Sequence, residues 1–218
     1  MQPKIIFAGA VQNCSKYLPA VFRNIENISK YASETAYIFI ENDSVDSTKI
    51  DIQNFGLNKV NFNLINLDGL NQLGIRTLRL EMIRNTYIEI IKENKILRTF
   101  DFLVVMDMDE CGTYEVSINS LSKAIDFLRS EDSRAAVFAN QIGGYYDLWA
   151  LRNKKLCPGD VWEEVLDYSQ KNAVSDEVAF SQTYAKRIIT IQPDDDPIEV
   201  DSAFGTANDD ESSKSPTL

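Results

Sequence analysis

Short apolar runs alternate with segments of helical spacing along the first 140 residues of the chain. Short runs bounded by turn residues are typical of buried strands, whereas apolar residues three and four positions apart indicate one face of a helix. The pattern predicts strands at residues 4–9, 36–40, 60–67, 101–106 and 135–140. It predicts helices at residues 17–28, after Ser47, at 76–92 and after Ser117, with both serines as N-caps.

Strands that alternate with helices indicate an α/β protein, with a mostly parallel central sheet and helices on both faces. After residue 140 the pattern is looser. It predicts a helix at 161–171, a strand at 187–192 and a further strand within 198–205. Residues 206–218 are polar and are predicted to be a disordered tail. The sequence therefore predicts a single domain over residues 1–205.

The net charge of −11 argues against a broad nucleic-acid or anionic-membrane surface, because both need basic patches. A small phosphate ligand is still compatible with this charge, since it needs only a few placed donors or a bound cation. No stretch approaches the roughly 18 consecutive apolar residues of a membrane helix. The first residues enter a strand pattern directly and lack the features of a signal peptide. We therefore expect no nucleic-acid partner, no membrane span and a cytoplasmic location.

Histidine is absent from the chain, which excludes a Ser-His-Asp or Cys-His mechanism and any histidine-ligated metal. A catalytic metal would therefore sit on oxygen ligands, which favours Mg²⁺ or Mn²⁺. The three cysteines, Cys14, Cys111 and Cys157, lie far apart and show no zinc-site spacing. They are interpreted as ordinary thiols without a disulfide framework.

Three polar or glycine-marked segments follow predicted strands, at Gly9-Ala10, at residues 41–44 and at residues 107–109. Right-handed crossovers place the carboxyl ends of parallel strands along one edge of the sheet, where ligands bind. We expect these three segments to converge on one cleft. Residues 41–48, "ENDSVDST", supply a carboxylate and an amide at a strand exit, which suit the ribose hydroxyls or the base edge of a nucleotide. The alternative interpretation is a loop and capping segment, because Asp, Asn and Ser hydrogen-bond to local backbone.

Asp107-Met108-Asp109 follows the apolar run "FLVVM". In an extended segment, residues i and i+2 point to the same side, so the two carboxylates predict a cation site that a diphosphate and water would complete. The alternative is a helix cap or turn. Arg76 and Arg79 lie on one face of the predicted helix and suit a diphosphate, with surface ion pairs as the alternative.

Three features follow one another along the chain: the strand exit "ENDSVDST", a helix with "RN" and an apolar strand that ends in "DMD". In the order of these features, the chain resembles the GT-A class of nucleotide-sugar glycosyltransferases. The segment at residues 145–152, "YYDLWALR", is similar to the corresponding segment of the cryptococcal α-mannosyltransferase-like families. Over about residues 4–205 the chain looks most like the small glycosyltransferases of chlorella viruses, which are thought to decorate the viral capsid protein.

The resemblance implies a GT-A fold, which is Rossmann-like, and transfer of a sugar from a UDP-sugar donor to a glycan or glycoprotein acceptor, with retention. It implies that Asp107 and Asp109 hold Mn²⁺ or Mg²⁺ against the donor diphosphate. The residues expected to contact the nucleotide sugar are Gly9, Ala10, Val11, Asn13, Asp43, Arg76, Arg79, Asp107, Met108 and Asp109. The chain departs from many members of the class by lacking a third, histidine metal ligand near its C-terminus.

Candidate groups for the chemistry lie after residue 140. Asp147 and Asp201 suit the base of an inverting enzyme, and Gln141, Asp147 and Asp201 suit the group that a retaining enzyme needs on the other face of the donor. Aromatic faces suit the apolar faces of sugar rings, so Tyr145, Tyr146 and Trp149 are predicted to bind the acceptor. The alternative for Trp149 is a buried aromatic cluster.

Three other functions are compatible with parts of the pattern. A haloacid-dehalogenase-type phosphatase also has an oily strand ending in Asp-x-Asp, but it requires Thr or Val where this chain has Cys111. A nucleotidyltransferase would carry a glycine-rich basic loop, which "AGAVQNCSK" does not supply. The third alternative is a domain that binds a nucleotide sugar without turnover.

Overall fold

The structure, a computed structural model, describes residues 2–140, 144–145, 147–192 and 195–205. The chain divides into two units, Met1–Lys123 and Ala124–Leu218, and each has its own core. A single domain up to residue 205 stays a prediction. The predicted tail at 206–218 lies outside the described residues.

Four parallel strands form the sheet of the first unit. They are β1 (Lys4–Val11), β2 (Glu34–Glu41), β3 (Phe62–Asn66) and β4 (Phe102–Val105). The strand order is β3-β2-β1-β4, and every neighbouring pair is parallel. This confirms the predicted α/β class and the parallel central sheet. Since β1 is paired on both sides, it is the central strand that fixes where the ends of β2 and β4 lie.

Helices cover both faces of this sheet, as predicted. They are α1 (Leu18–Ser29), α2 (Thr48–Gly56), α3 (Arg76–Glu93) and α4 (Ile118–Arg129). Ile5 and Phe7 of β1 share a core cluster with residues of α1 and α2, against which Leu121 of α4 also packs. Ile6 and Ala8 point to the opposite face, in a cluster with residues of α3. The apolar run of β1 is continuous because both of its faces are buried.

Some element boundaries differ from the prediction. β1 continues to Val11, because its pairing with β2 continues to the Val11–Glu41 register. Gly9 and Ala10 are therefore part of the strand and do not follow it. Ser47 does precede α2, yet its hydroxyl makes no cap bond and donates to Asp51 Oδ2 at 2.9 Å. The predicted Ser117 cap is present, with the Ser120 N–H donating to Ser117 Oγ at 3.3 Å.

The second unit is mainly helical. It contains β5 (Gly144–Tyr145), α5 (Val161–Asn172), α6 (Asp176–Gln182), α7 (Tyr184–Arg187) and β6 (Ile189–Thr190). The helix predicted at 161–171 is confirmed as α5. β5 and β6 pair antiparallel. The core of this unit contains Tyr145, Leu148, Leu151, Cys157 and Val161.

Three strand predictions in this part of the chain are wrong or too long. Residues 135–140 are exposed and form no strand, so their apolar pattern has no partner ladder within the described residues. Only Ile189 and Thr190 of the predicted strand at 187–192 are paired. The segment 198–205 contributes an isolated bridge between Ser202 and Arg152. Hydrophobic alternation marks segments able to form strands, and pairing decides which of them do.

None of the helices in the described part of the chain has both the length and the apolar character needed to cross a bilayer.

The packing of α1 on the sheet predicts a large effect of Ile25→Ala. Ile25 is fully buried in the core of the first unit. Removing its side-chain carbons should lower the free energy of unfolding by about 2–5 kcal/mol, through lost burial and the cavity left behind. Ile50 on α2 is 59 % exposed, so Ile50→Ala should stay within about 0.5 kcal/mol of the parent. Urea unfolding measures both, and equal losses would contradict this assignment of the core.

Candidate functional site

The carboxyl ends of β1, β2 and β4 lie on one edge of the parallel sheet. The chain passes from β1 to β2 to β3 in one direction, and β4 then lies on the other side of β1. The strand order therefore reverses between β1 and β4. In open α/β sheets, ligands bind outside the carboxyl ends of the strands at such a switch point. The predicted convergence of the exits of β2 and β4 thus follows from the observed topology, and the exit of β1 between them begins after Val11, not at Gly9-Ala10.

Asp107 and Asp109 lie immediately beyond β4 at this switch point. Their carboxylates and the thiol of Cys111 each offer one ligand atom, and these atoms lie within 4.8 Å of one another. Met106 and Met108 belong instead to the core beneath α1, and Met108 is 1 % exposed. The buried Met108 thus separates two aspartates whose ligand atoms converge, as the i, i+2 spacing predicts.

Gly9 makes room for the Met108 side chain. A Cβ atom at position 9 would lie 2.6 Å from Met108 Cγ and 2.7 Å from its sulfur. Glycine is therefore needed at position 9, because a side chain there would clash with Met108 in the core of the first unit. Because the Met108 side chain is buried, it is not available for the predicted contact with a nucleotide sugar.

The turn Glu110–Thr113 follows the acidic pair, and Asp109 precedes it. A carboxylate oxygen of Asp109 accepts a hydrogen bond from the Cys111 N–H at 3.0 Å. Asp109 therefore makes the capping hydrogen bond that the alternative interpretation of this residue predicts. A carboxylate has about four acceptor positions, so this bond and a bound cation are compatible.

Asn24 on α1 holds this turn in place, a role that was not predicted from the sequence. Its side chain is 5 % exposed, and its Nδ2 donates to the Gly112 carbonyl at 2.9 Å and to the Tyr114 carbonyl at 2.6 Å. A Cβ at Gly112 would lie 1.9 Å from the Asp107 carbonyl oxygen, so the turn packs against the backbone of the acidic pair. The available signal was an amide within the otherwise apolar buried stripe of α1.

The donor set is suited to a divalent cation. Two carboxylates are the ligands that Mg²⁺ and Mn²⁺ prefer, and a thiolate adds a softer ligand that favours Mn²⁺ or Zn²⁺ over Mg²⁺. Cys111 was interpreted from the sequence as an ordinary thiol. The structure places its thiol beside both aspartates. The regular spacing of Asp107, Asp109 and Cys111, each two residues after the last, was the sequence signal that could have identified it.

The electrostatic environment at this edge is negative. Burial raises the pKa of the Cys14 thiol, a hydrogen bond to the Gln12 carbonyl partly opposes this, and the charges of Asp109, Asp46 and Asp107 raise it further. Cys14 follows β1, Asp46 follows β2 and the other two acids follow β4. Carboxylates from two strand exits therefore act on one thiol, and the same field attracts a cation.

Asp43 ties the exit of β2 to the segment after β3. Its carboxylate accepts hydrogen bonds from the Gly69 N–H at 2.5 Å and the Asn71 N–H at 2.8 Å. These backbone bonds lower the pKa of the Asp43 carboxyl. Asp43 has a φ of 51°, a left-handed conformation that is uncommon outside glycine. The observed role is structural, and the contact of Asp43 with a nucleoside stays a prediction.

Asn13 has a matching conformation and role at the exit of β1. Its φ is 52°. Its N–H donates to Ser44 Oγ at 3.0 Å, and its Oδ1 accepts from the Val45 N–H at 2.9 Å. The loops after β1 and β2 are therefore bonded to each other. Ala10 and Val11, also predicted to contact the nucleotide sugar, end the strand just before this loop.

Arg79 is oriented toward the same edge by Asn71. The Asn71 Oδ1 accepts from Arg79 Nη1 at 2.7 Å and from Gln12 Nε2 at 2.8 Å. Gln12 and Asn71 were not among the residues predicted from the sequence. Arg76 is exposed at the first position of α3. The link between Gln12 and Arg79 connects the exit of β1 to the amino end of α3.

The predicted chemistry residues after position 140 belong to the second unit. Asp147 Oδ1 accepts from the Ala150 N–H at 3.3 Å, and Asp201 is exposed, with its backbone N–H bonded to the Arg152 carbonyl. Gln141 and Tyr146 lie outside the described residues.

The two described aromatic candidates differ in exposure. Tyr145 is 6 % exposed, and its hydroxyl donates to the Phe204 carbonyl at 2.6 Å, so its ring is part of the core. This placement does not favour stacking of Tyr145 on an acceptor. Trp149 is 44 % exposed, and its ring lies 5.6 Å from that of Trp162. The expected aromatic cluster at Trp149 exists, but it is only partly buried.

Asn24→Ala tests the support of the turn. The change leaves the carbonyls of Gly112 and Tyr114 without their donor and should cost about 1–3 kcal/mol of unfolding free energy. We expect Mn²⁺ binding to weaken about tenfold, the lower end of what the loss of a supporting contact costs at a metal site. Asn27→Ala is the control, since Asn27 Oδ1 pairs with Lys30 Nζ at the surface. Calorimetric Mn²⁺ titration and urea unfolding measure both effects, and equal behaviour of the two variants would contradict the role of Asn24.

Asp43→Asn tests the carboxylate bonds to the segment after β3. Because the folded-state pKa of Asp43 is lowered, its contribution to stability is complete above the ordinary Asp pKa of about 3.9 and is lost as the pH falls below it. The parent should therefore be more stable than Asp43→Asn at pH 6, and the difference should shrink below about pH 4. Urea unfolding at several pH values measures this. Asp68→Asn is the control, since no hydrogen bond to the Asp68 side chain is present among the described residues. If the difference between the parent and Asp43→Asn does not change with pH, the stabilising role of the Asp43 carboxylate is contradicted.

No protein-family model matches the chain, and neither a curated protein nor a solved structure matches it significantly. The order of the motifs and the geometry at the sheet edge therefore carry the functional interpretation.

Proposed function

We propose that the chain is a metal-dependent glycosyltransferase that moves a sugar from a UDP-sugar donor to a glycan or glycoprotein acceptor. The observation that carries the proposal is the pair of carboxylates of Asp107 and Asp109, with ligand atoms within 4.8 Å, just beyond β4 at the switch point of a parallel sheet. This is the place where open α/β sheets bind ligands, and two carboxylates that share a cation are suited to a diphosphate.

Asp107 and Asp109 would hold Mn²⁺ or Mg²⁺, with Cys111 next to them. Bound there, the cation supplies Lewis-acid stabilisation of the departing diphosphate. The carboxylates keep the site negative until the cation binds. Arg79, directed to this edge by Asn71, and Arg76 at the exposed start of α3 supply donors for phosphate oxygens.

The sugar-transfer step requires groups on the donor and acceptor sides. Asp147, Asp201 and Gln141 are the proposed candidates, acting as the base toward the acceptor hydroxyl or as the group facing the donor, and the resemblance to chlorella-virus enzymes favours retention. The half-exposed Trp149 offers an aromatic face for an acceptor sugar. Glycosylation of a viral capsid protein, in the cytoplasm of the host cell, is the biological setting that this resemblance implies.

A thermal-shift experiment with UDP tests the metal-dependent site. UDP with Mn²⁺ should raise the unfolding temperature by several degrees, because ligand at about 100 times its Kd adds about 2.7 kcal/mol to the stability of the folded state. UDP or Mn²⁺ alone should give a smaller shift. Asp109→Asn should lose the joint shift, whereas Glu115→Gln, which removes an exposed charge from the same segment, should keep it.

The outcomes separate the alternatives. An equal joint shift for Asp109→Asn and the parent would remove Asp109 from the site. Binding of UDP with Mn²⁺ but no transfer or hydrolysis of any donor sugar would favour a nucleotide-sugar-binding domain without turnover. Phosphate release from simple esters, with trapping by beryllium fluoride, would favour the phosphatase.

A further inference from the structure

An apolar groove lies beside the start of β4, at the opposite end of this strand from the acidic pair. Its volume is about 500 Å³. The residues that line it all belong to the first unit. Seven of them are apolar and three are charged, namely Ile6, Ile88, Ile91, Leu97, Phe100, Phe102 and Leu103, with Lys92, Arg98 and Asp101. Mostly apolar clefts of this size with a few polar groups are typical of small-molecule sites.

The course of α3 leaves this groove open. α3 packs over β1 and β2, and the turn Leu97–Thr99 then leads the chain into β4. Since β4 is the last strand in the sheet order, its α3 side receives less cover than that of β1. Leu103 of β4 is half-buried, whereas Ile6 of β1, in the same cluster, is 2 % exposed. The groove is the space between the flank of α3, this turn and β4.

The walls of the groove are suited to an aliphatic chain. Ile88 and Ile91 on α3 are half-buried, as are Phe100 and Phe102 before and within β4. Apart from the three charged residues, the described lining contains no polar side chain. A ring with several hydrogen-bonding groups would therefore find few partners there. Each methylene group that a ligand buries against such walls raises its affinity about fourfold.

The charged residues of the lining favour an anion. Lys92 Nζ pairs with Glu89 Oε1 at 2.8 Å, and both side chains are more than half exposed, so this surface pair is weak. The carboxylate of Asp101 accepts a hydrogen bond from the Lys4 N–H at 2.8 Å. The guanidinium of Arg98 has neither a hydrogen bond nor an ion pair within the part of the chain that the structure describes. Arg98 is therefore the cation available to a ligand.

We propose that this groove binds a fatty acid, with the alkyl chain between α3 and β4 and the carboxylate at Arg98. The apolar walls match the chain, and a guanidinium can hold a carboxylate through two parallel hydrogen bonds. Lys92 at the end of α3 adds a second positive charge to the same groove. The ligand thus combines the two properties of the lining, an apolar surface and an available cation.

The fatty-acid site differs from the candidate metal site in place and in chemistry. Phe102 and Leu103 begin β4, whereas Asp107 and Asp109 follow its end. The inference therefore goes beyond the proposed function and does not rest on it. The occupant is a fatty acid free in solution and not one within a bilayer, since a net charge of −11 opposes approach to an anionic membrane.

Calorimetric titration of the full chain with decanoate and with decanol tests the site. The parent should bind one decanoate, about 10–100-fold more tightly than decanol, because only the carboxylate makes charged hydrogen bonds with Arg98. From hexanoate to decanoate the affinity should rise about fourfold per methylene group. Arg98→Gln should bind decanoate about as weakly as the parent binds decanol. Arg23→Gln is the matched control, since it removes an exposed arginine from α1 on the other face of the sheet, and it should bind decanoate as the parent does.

Several results would overturn the inference. One is that the parent binds neither ligand, or binds decanol as tightly as decanoate. Another is an equal loss of affinity in Arg98→Gln and Arg23→Gln, which would mean that binding follows the net charge of the chain. The comparison of the two ligands on the parent decides the matter even if Arg98→Gln does not fold. None of these results affects the proposed function, because the joint shift by UDP and Mn²⁺ is measured separately.

Discussion

The parallel pairing of β1 with both β2 and β4 is the constraint on which the rest of the structure depends. It places Asn13, Asp43 and Asp107, which are far apart in sequence, beyond three adjacent strand ends. It also buries both faces of β1, so that residues alternate between the core under α1 and the core under α3. The position of every candidate group in the first unit follows from this register.

The edge formed in this way is held by polar contacts between loops. Asn13 bonds the loop after β2, Asp43 bonds the segment after β3, and Asn24 bonds the turn after Asp109. These bonds keep charged and polar groups from three strand exits near one another in the absence of a ligand. A site of this kind has less conformational entropy to lose on binding than a set of free loops would have.

Much of the first unit was predictable because its signals are local. The helical spacing in α1 and α3 and the apolar run of β1 each depend on burial against one sheet, so a periodic pattern records them. The pattern failed at residues 135–140, since strand formation requires a partner that the local sequence does not specify. The acidic pair could be found from its i, i+2 spacing. The thiol of Cys111 continues the i, i+2 spacing of the acidic pair and could have been found in the same way. The support from Asn24 depends on a contact between distant segments, so its partners could not be read from the amide in α1 alone.

The close packing of Gly9 against Met108 has a consequence for how this protein can vary. Met108 stands between the two aspartates in sequence and fills the space that a side chain at position 9 would need. A larger residue there would push the Met108 side chain outward and change the separation of the neighbouring carboxylates. The volume of the hydrophobic interior and the affinity for a cation are therefore coupled, and a change to one would require a compensating change to the other.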